Sequence, residues 1–454
     1  MVEGQGGIGG RGAEGRRGMV LADRGPGSPS RAFAQVRAGP LGGAGGGRPD
    51  QGIPGRGWDL GQGRPGPGWG GLLPVRPEGG MRVWITMFDD PYDDARVVRE
   101  VEALREMGLE VGILHGLFDD CPRRRKYAGA GLVPVPLGRR RRGKLPFLIF
   151  YLKAFLIVAR LKGEVFHSQD VYSLPVAYLG AKMSGARLIY DVHEYYIGTP
   201  ALSGRPLERT IWGAVERTFV RKADFVITVC DSIADVLRKR YGIPRPRVVR
   251  NLPRFRRAPR TDALRKWLGI PDEEPILVYQ GVLQRGRGLF VAMEALRRLK
   301  RGVLVFLGDG VLRDEVRGYA VRAGIEDRIF LPGWVPLEKL PIYTASADMG
   351  LCMIEKLGYS YYVSLPNKLF QYMMAGIPVL ASDFPEIGKV VREAGVGLLA
   401  DPSDPEDIAV KAQMLLEDKD LWEQCSKNAE KAAEVYNWER EKGRLVEVYQ
   451  VACK

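Results

Sequence analysis

The chain has 454 residues, a formal net charge of +14, five cysteines and three histidines. It holds no continuous apolar run of the roughly 20 residues that a membrane-spanning helix needs. Its 58 glycines are not spread evenly: 27 of them, with 9 of the 31 prolines, 10 arginines, 6 acids and no lysine, fall within residues 1–80. A stretch so poor in apolar periodicity cannot bury enough surface to offset the entropy of ordering it. Residues 1–80 are therefore excluded from the fold, and two readings of them stand. They are a disordered basic tail of charge +4, suited to acidic surfaces or nucleic acid, or an extension foreign to the native protein, whose start is then Met81. The segment lacks the apolar centre of a secretory signal.

The remaining 374 residues carry +10, and their length suggests about two domains. Cys121, Cys230, Cys352, Cys425 and Cys453 are scattered, with no C-x-x-C pair and no Cys/His cluster. Neither a zinc site nor a disulfide framework is indicated, and a reducing cytosol is the expected compartment.

From Met81 onward short β-rich runs alternate with helical patterns. Strands are predicted at 82–88, 110–115, 131–136, 164–169, 186–192, 224–229 and 246–250, with helices at 93–107, 171–184, 206–222 and 232–241. Ser232 followed by Asp235 resembles a capping box opening the last of these. A Pro- and Arg-rich segment, 251–262, then separates two halves. Beyond it strands are predicted at 275–281, 303–308, 328–331, 349–354, 378–382 and 397–400, and helices at 288–300, 311–323, 337–345 and 366–375. Three helices, near 404–417, 420–435 and 438–452, close the chain. Near-continuously apolar strands alternating with helices predict an α/β fold of two doubly wound, Rossmann-like parallel sheets facing a cleft. The expected division is 81–253, 254–435 and a last helical segment, 436–454. Ligands of such sheets bind at the carboxyl ends of the strands.

Three features of the second half point to a phosphate-bearing ligand. The strand at 275–281 runs into Gly281-Val-Leu-Gln-Arg285-Gly-Arg287-Gly288 and then a helix. Glycines admit a ligand close to the backbone, a helix N-terminus favours anions, and arginine pairs with phosphate oxygens; the plainer reading is a basic turn. Gly308-Asp309-Gly310 again lies between strand and helix, though it is too short for the dinucleotide fingerprint. Ser364-Leu-Pro-Asn367-Lys368-Leu-Phe-Gln371 opens a short helix with Pro366 in its first turn and Gly376 with Pro378 at its stop. Lys368 adds charge at the N-terminal end, and Gln371 follows on the same face. In the first half His115, His167 and His193 each lie near a strand end. His193, in Tyr190-Asp191-Val-His193-Glu194, is the best placed to meet a reacting substrate.

Taken in order, these motifs are familiar. Residues 81–454 resemble the retaining GT-B glycosyltransferases of the large group one (family four). The resemblance rests on Tyr190–Glu194, Val-Val-Arg-Asn-Leu-Pro (248–253), Tyr279–Leu289, Leu-Gly-Asp-Gly (307–310), Ser364–Val379 and Tyr436-Asn-Trp438-Glu. It implies transfer of a sugar from a nucleotide-sugar donor to a glycan, lipid-linked or other acceptor, with retained anomeric configuration and neither a metal nor another bound cofactor. The donor diphosphate would meet Arg287, Lys368 and the helix amides after Ser364, near Gly281, Arg285 and Asn367. The nucleoside would lie by Gly308, Asp309 and the Gly333-Trp334-Val335 turn, with Gln371 at the ribose. His193 would approach the sugar from the first domain, and the last helix would cross back to that domain.

Two positions depart from the family. Where many relatives carry a pair of glutamates eight residues apart, this chain has Val363 and Gln371, and Val282 stands where many have arginine. Glutamine can still hydrogen-bond a ribose hydroxyl, without charge. A catalytically inactive relative and a basic membrane-associated scaffold are the alternatives these departures leave.

Finally, Arg123–Lys126 and Arg139–Lys144 precede the apolar run 145–159. Either it forms a core-facing helix behind a solvated basic loop, or it makes a peripheral contact with an anionic membrane at the inner face of the cell. Nucleic acid is disfavoured because the basic runs lack interleaved aromatics.

Overall fold

The computed structural model describes residues 80–121, 126–139 and 144–454. Residues 1–79, 122–125 and 140–143, and with them nearly all of the glycine-rich segment and most of both basic runs, lie outside the described residues.

The first half builds β1 (Arg82–Met87), α1 (Ala95–Glu106), β2 (Glu110–Phe118), β3 (Lys126–Tyr127), β4 (Ala130–Gly138), α2 (Leu145–Val158) and β5 (Val165–Gln169). It continues with α3 (Asp170–Ser184), β6 (Arg187–Val192), α4 (Pro206–Val220), β7 (Phe225–Thr228), α5 (Asp231–Tyr241) and β8 (Arg247–Val248). Its strands form one sheet in the order β3-β4-β2-β1-β5-β6-β7-β8. All pairs are parallel except the edge hairpin β3–β4.

The strand period of two sets which side chain faces which layer. In β1, Trp84 enters a core with Phe150, Ala154 and Val158 of α2 and Leu174 and Ala177 of α3. Val83, Ile85 and Met87 turn the other way, against Val97, Val101 and Leu104 of α1.

The second half contains α6 (Ala263–Leu268), β9 (Ile276–Gln280), α7 (Leu289–Arg298), β10 (Val303–Leu307), α8 (Arg313–Ala323), β11 (Ile329–Gly333) and α9 (Leu340–Thr344). Then come β12 (Met349–Cys352), α10 (Tyr359–Tyr362), α11 (Asn367–Met374), β13 (Val379–Ser382), α12 (Pro385–Ala394), β14 (Gly397–Ala400), α13 (Pro405–Glu417) and α14 (Lys419–Ala433). The sheet order is β11-β10-β9-β12-β13-β14, parallel throughout. Phe370, Ile387 and Ala429 fill one face; Met293, Val316 and Leu415 fill the other.

The last helix, α15 (Trp438–Ala452), belongs to the first sheet. Its Trp438, Leu445, Val448 and Tyr449 join the same core as α1. The Asn437 side chain accepts from the Arg440 amide at 3.0 Å, capping its start. The Trp438 amide donates to Pro253 O at 2.9 Å. The two chain crossings between the domains therefore lie side by side.

Helices α6, α10 and α12 and the short edge strand β3 went unrecognised in the sequence, and Ser232 is not a cap. α5 begins at Asp231 after Cys230, without a side-chain cap of its own. The Ser232 amide instead donates to Glu386 Oε1 at 2.7 Å, so a carboxylate of α12 in the second domain serves the N-terminus of α5 in the first. Beside it the Lys389 ammonium lies 3.2 Å from Asp231, and Cys230 Sγ donates to Val363 O at 3.4 Å. Local capping was the wrong inference because the partner is 154 residues away.

Glu386→Ala should lower the thermal midpoint by an amount equivalent to about 1–2 kcal/mol, the usual cost of a lost helix cap. Glu386→Gln should retain most of that stability, because the amide oxygen still accepts. Parallel thermal melts of the three proteins check this.

Candidate active site

In each sheet the strand order reverses direction at one place, and there the carboxyl ends of two strands open a crevice. In the first sheet this lies between β1 and β5, and in the second between β9 and β12. The motifs singled out in the sequence cluster at these two places.

On the second domain, β9 is followed by Gly281, whose φ is 129°, and β10 by Gly308, whose φ is 155°. These values exclude most side-chain-bearing residues. The two glycines also touch: a Cβ on Gly308 would fall 2.0 Å from Gly281 O. The strand ends thus pack with no side chain between them. Gly308 further pairs with Gly333 in an isolated antiparallel bridge, bringing Asp309 near the turn that carries Trp334 and Val335. Asp309 lies 3.4 Å from the Arg313 guanidinium and accepts the Gly310 amide at 2.8 Å. Trp334 is 37% exposed, whereas Val335 packs on the core. The loop from Gly281 to Gly288 is held by Glu355, whose Oε1 accepts the Gly288 amide at 3.0 Å. Within it the Arg285 side chain is exposed, while the Arg287 guanidinium lies 4.9 Å from the Tyr361 ring centre.

Helix α11 starts at Asn367, with Pro366 at its cap position rather than in its first turn. Lys368 is buried, and its ammonium sits 3.5 Å from the Tyr279 ring centre. It makes no hydrogen bond or ion pair among the described residues, and neither does the buried Asn367 Oδ1 make a hydrogen bond. Burial, with repulsion from Arg287 adding to it, pushes the Lys368 ammonium down to about 7. A buried cation facing another cation, with no acceptor, is an anion-binding arrangement. Ser364 Oγ donates to Tyr361 O at 2.8 Å. Gln371 accepts from Gln280 at 2.5 Å, and Gln280 in turn accepts from Thr344 at 2.8 Å. Val363 is fully buried, so its side chain lines the core and not the cleft.

On the first domain, His193 follows β6 and is caught between carboxylates. Its Nε2 lies 3.3 Å from Asp191 Oδ2, and its Nδ1 lies 3.6 Å from Asp170 and 3.7 Å from Asp94. Its amide donates to Asp170 Oδ1 at 2.9 Å. Asp170 holds this pose from a left-handed backbone, φ 58°, which is uncommon for a side-chain-bearing residue.

Burial opposes the imidazolium, but Asp170 and Asp191 outweigh it and raise His193 to about 10. His193 is therefore a cation at neutral pH and not a general base. Neighbouring Glu194 is pushed up to about 7 by burial and by Asp170, against the pull of Arg287 and His193.

Beneath His193 lies a buried ion cluster. The Arg96 guanidinium donates to Asp191 Oδ2 at 2.8 and 3.0 Å and to Val249 O at 2.9 Å, and lies 2.8 Å from Glu100 Oε1. Gln169 donates to Glu100 at 2.7 Å, and His167 Nδ1 lies 2.6 Å from Tyr449 Oη of α15. Burial would raise the Asp191 carboxyl, but Arg96 and His193 hold it well below its ordinary range. Burial keeps Glu100 above its own, despite Arg96. Ligand atoms of Glu100, Asp191 and His193 lie within 4.8 Å of one another, a set of the kind that can hold a metal. Here both carboxylates are committed to Arg96.

The sequence also matches two family models: a glycosyl transferase 4-like domain over residues 94–253 and glycosyl transferases group 1 over residues 260–432. Together they span well over half of the chain. The chain belongs to the group 1 glycosyltransferases.

Among relatives of this glycosyltransferase, alpha-D-kanosaminyltransferase of Streptomyces kanamyceticus is 26% identical over 56% of this chain and 67% of its own. The 2-deoxystreptamine glucosyltransferase of the same organism is 24% identical over 71% and 89%. Sucrose-phosphate synthase from Thermosynechococcus elongatus superposes with a TM-score of 0.69 at 20% identity, covering 82% of this chain and 98% of its own. Anabaena HepE in complex with UDP and glucose gives a TM-score of 0.63 at 16% identity, covering 82% and 100%. WaaG, a glycosyltransferase involved in lipopolysaccharide biosynthesis, gives 0.60 at 16%, covering 81% and 99%. These structures share the GT-B fold.

Of the residues singled out in the sequence, the structure gathers Gly281, Arg287, Asn367 and Lys368 at one crevice and His193 at the other, with Gly308, Asp309 and Gly333 along the neighbouring strand ends. Arg285 stands apart in solvent. His115 is buried against Gly116 O at 3.0 Å, and His167 is buried under the cluster. Sequence reasoning missed Arg96, Glu100, Asp94 and Asp170 as the surroundings of His193. The spacing of Arg96 and Glu100, i and i+4 on one helix, was the available signal.

The folded value for His193, about 10, lies above its ordinary 6.5. The stability it contributes should be complete below about pH 6.5 and fall as pH rises through about 10. His193→Gln should flatten that decline in a denaturation series across pH. Separately, Arg96→Met should cost about 3–5 kcal/mol in chemical denaturation, because Asp191 and Glu100 remain buried without their cation.

Proposed function

We propose that this glycosyltransferase takes its sugar from a nucleotide-sugar donor bound on the second domain, and transfers it with retention to an acceptor that enters against the first. The observation that carries this is Lys368: a buried ammonium with no hydrogen bond or ion pair among the described residues, beside Arg287 and at the N-terminal end of α11. A diphosphate supplies the acceptor oxygens this group lacks. A Cβ on Gly281 would meet nothing nearer than 3.7 Å, with Lys368 Nζ at 3.8 Å, which leaves backbone room for it, and Asp309, Gly333, Trp334 and Val335 lie where the nucleoside would rest. Gln371 remains the ribose partner, now oriented by Gln280. The UDP and glucose held by the structurally similar HepE agree with such a donor. The names of the kanosaminyl- and glucosyltransferase relatives agree with a hexosyl group. Retention rests on the motif resemblance.

In the reaction, the bond between the anomeric carbon and the diphosphate oxygen breaks, and its electron pair stays on that oxygen. Arg287, Lys368 and the α11 amides meet the growing charge, the role of preplaced donors in a site closed to water. No divalent ion or other cofactor is assigned to this step. The acceptor hydroxyl joins the anomeric carbon, and its proton leaves with the nucleoside diphosphate. His193, as a fixed imidazolium, orients the sugar and donates no proton.

Released nucleoside diphosphate, measured over a panel of uridine, guanosine and adenosine diphosphate sugars with an acceptor extract, should identify one preferred donor. Lys368→Ala should cut kcat/KM for it by about 10²–10³-fold, as loss of one preplaced donor does elsewhere. Unchanged turnover in that variant would overturn the assignment.

Because burial and Arg287 push the Lys368 ammonium down to about 7, diphosphate binding at pH 8 should take up close to one proton. Calorimetry in buffers of different ionisation enthalpy reads this directly, and Lys368→Ala should abolish the uptake.

A further inference from the structure

Helix α2 is apolar on both sides. Its Pro146, Phe150, Ala154 and Val158 are buried, one turn apart, against the first sheet. On the opposite side Leu148, Leu152 and Leu156 are 56%, 61% and 65% exposed, and Leu145 before them is 44% exposed. A solvent-facing helix ordinarily carries polar residues there, and three leucines at four-residue spacing form a continuous stripe.

The stripe extends onto α4. Phe147 packs edge-on against Trp212 with ring centres 5.6 Å apart, which sets Leu207 and Ile211, 67% and 47% exposed, beside the N-terminal end of α2. Lys144, 3.9 Å from Glu208, ties the same two ends together.

Along α2 and its flanks the charge has one sign, Glu208 of α4 being the acid beside it. Residues 144–162 hold Lys144, Lys153, Arg160 and Lys162 and no acid, all four at exposed positions except where their amines touch carbonyls. Lys153 donates to Pro136 O, Arg160 to Leu156 O and Lys162 to Met183 O. Arg205 and Arg209 add two more exposed cations at the start of α4. Among the described residues no helix is long and apolar enough to cross a membrane. An all-round apolar helix of 14 residues with a basic border fits the plane of a lipid surface: leucines below the headgroups, lysines and arginines on their phosphates.

We propose that the outer face of α2, with the start of α4, docks the protein on an anionic bilayer. The placement matters for the reaction proposed above, on which this second step rests. Phe147 stacks on Tyr172, and Tyr172 meets Tyr196, at centre distances of 5.2 and 4.7 Å. Tyr196 lies three residues after His193 and two after Glu194, and Tyr172 follows Asp170 by two. An aromatic path therefore leads from the docking face to the first-domain crevice. The acceptor class this arrangement suits is one anchored in the bilayer, its hydroxyl reaching His193 while its apolar part stays with the lipid.

The full chain is floated with vesicles of phosphatidylcholine alone and of phosphatidylcholine mixed with phosphatidylglycerol. It should bind the second strongly and the first weakly, and salt should release it. Each leucine replaced should cost about tenfold in partition, and each cation reversed about fivefold. The variants are Leu152→Ser alone, Leu148→Glu/Leu152→Glu/Leu156→Glu together, and Lys153→Glu/Arg160→Glu. The last changes only exposed side chains and keeps the test open if the triple variant misfolds.

Equal flotation of wild type and variants, or no flotation with phosphatidylglycerol, overturns the proposal. So does a wild-type dimer in light scattering that the leucine variants dissociate, since the stripe then covers a second copy. Nucleoside-diphosphate release without lipid is followed in parallel. Release without vesicle binding refutes the docking and leaves the transferase reading intact; vesicle binding without release does the reverse.

Discussion

The ion pair between Arg96 and Asp191 sits at the centre of the first domain, and much else is arranged around it. The guanidinium joins α1, the end of β6 and the carbonyl of Val249, where the chain leaves the first sheet for the second domain. Glu100 of α1 shares the same cation, and Tyr449 of α15 reaches His167 alongside. Each of these groups is shut away from water, where an isolated charge would be strongly disfavoured. The cluster is tolerable only with all its members present, so the crossing helix, the exit strand and the His193 loop are set by one electrostatic constraint.

The same constraint determines what His193 can do. An imidazole between two carboxylates keeps its proton through the neutral range, which makes it a fixed positive charge at the cleft edge. The second domain's crevice holds another basic pair, Arg287 and Lys368, and the Lys368 ammonium makes no hydrogen bond or ion pair among the described residues. Glu194, raised by burial and Asp170, is lowered in part by Arg287 and His193. The two domains thus carry a basic pair, Arg287 and Lys368, on one side and a compensated imidazolium on the other.

The domains are also joined through backbone groups. α12 lends Glu386 to the N-terminus of α5, and both chain crossings run next to each other at Pro253 and Trp438. A closure motion that excludes water would pivot near the crossings, and the Glu386 contact lies among the groups that such a motion would strain or release.

Much of this protein was legible in its residues. Apolar runs four to six residues long, broken by helical patterns, determined two parallel sheets, because strands covered on both faces must be apolar throughout. Glycines before helices and Pro366 with Gly376 marked the loops at the second domain's crevice, because those positions require backbone freedom or a missing amide hydrogen. Other features depended on contacts far apart in sequence. Helix α12 and its capping of α5, the commitment of Asp191 and Glu100 to Arg96, and the tying of Gln371 to Gln280 could not be read locally, since each partner is brought in by the sheet order. The exposure of Leu148, Leu152 and Leu156 belongs here too. In sequence, α2 is equally apolar on every side, and only packing against the first sheet decides which side is left facing out.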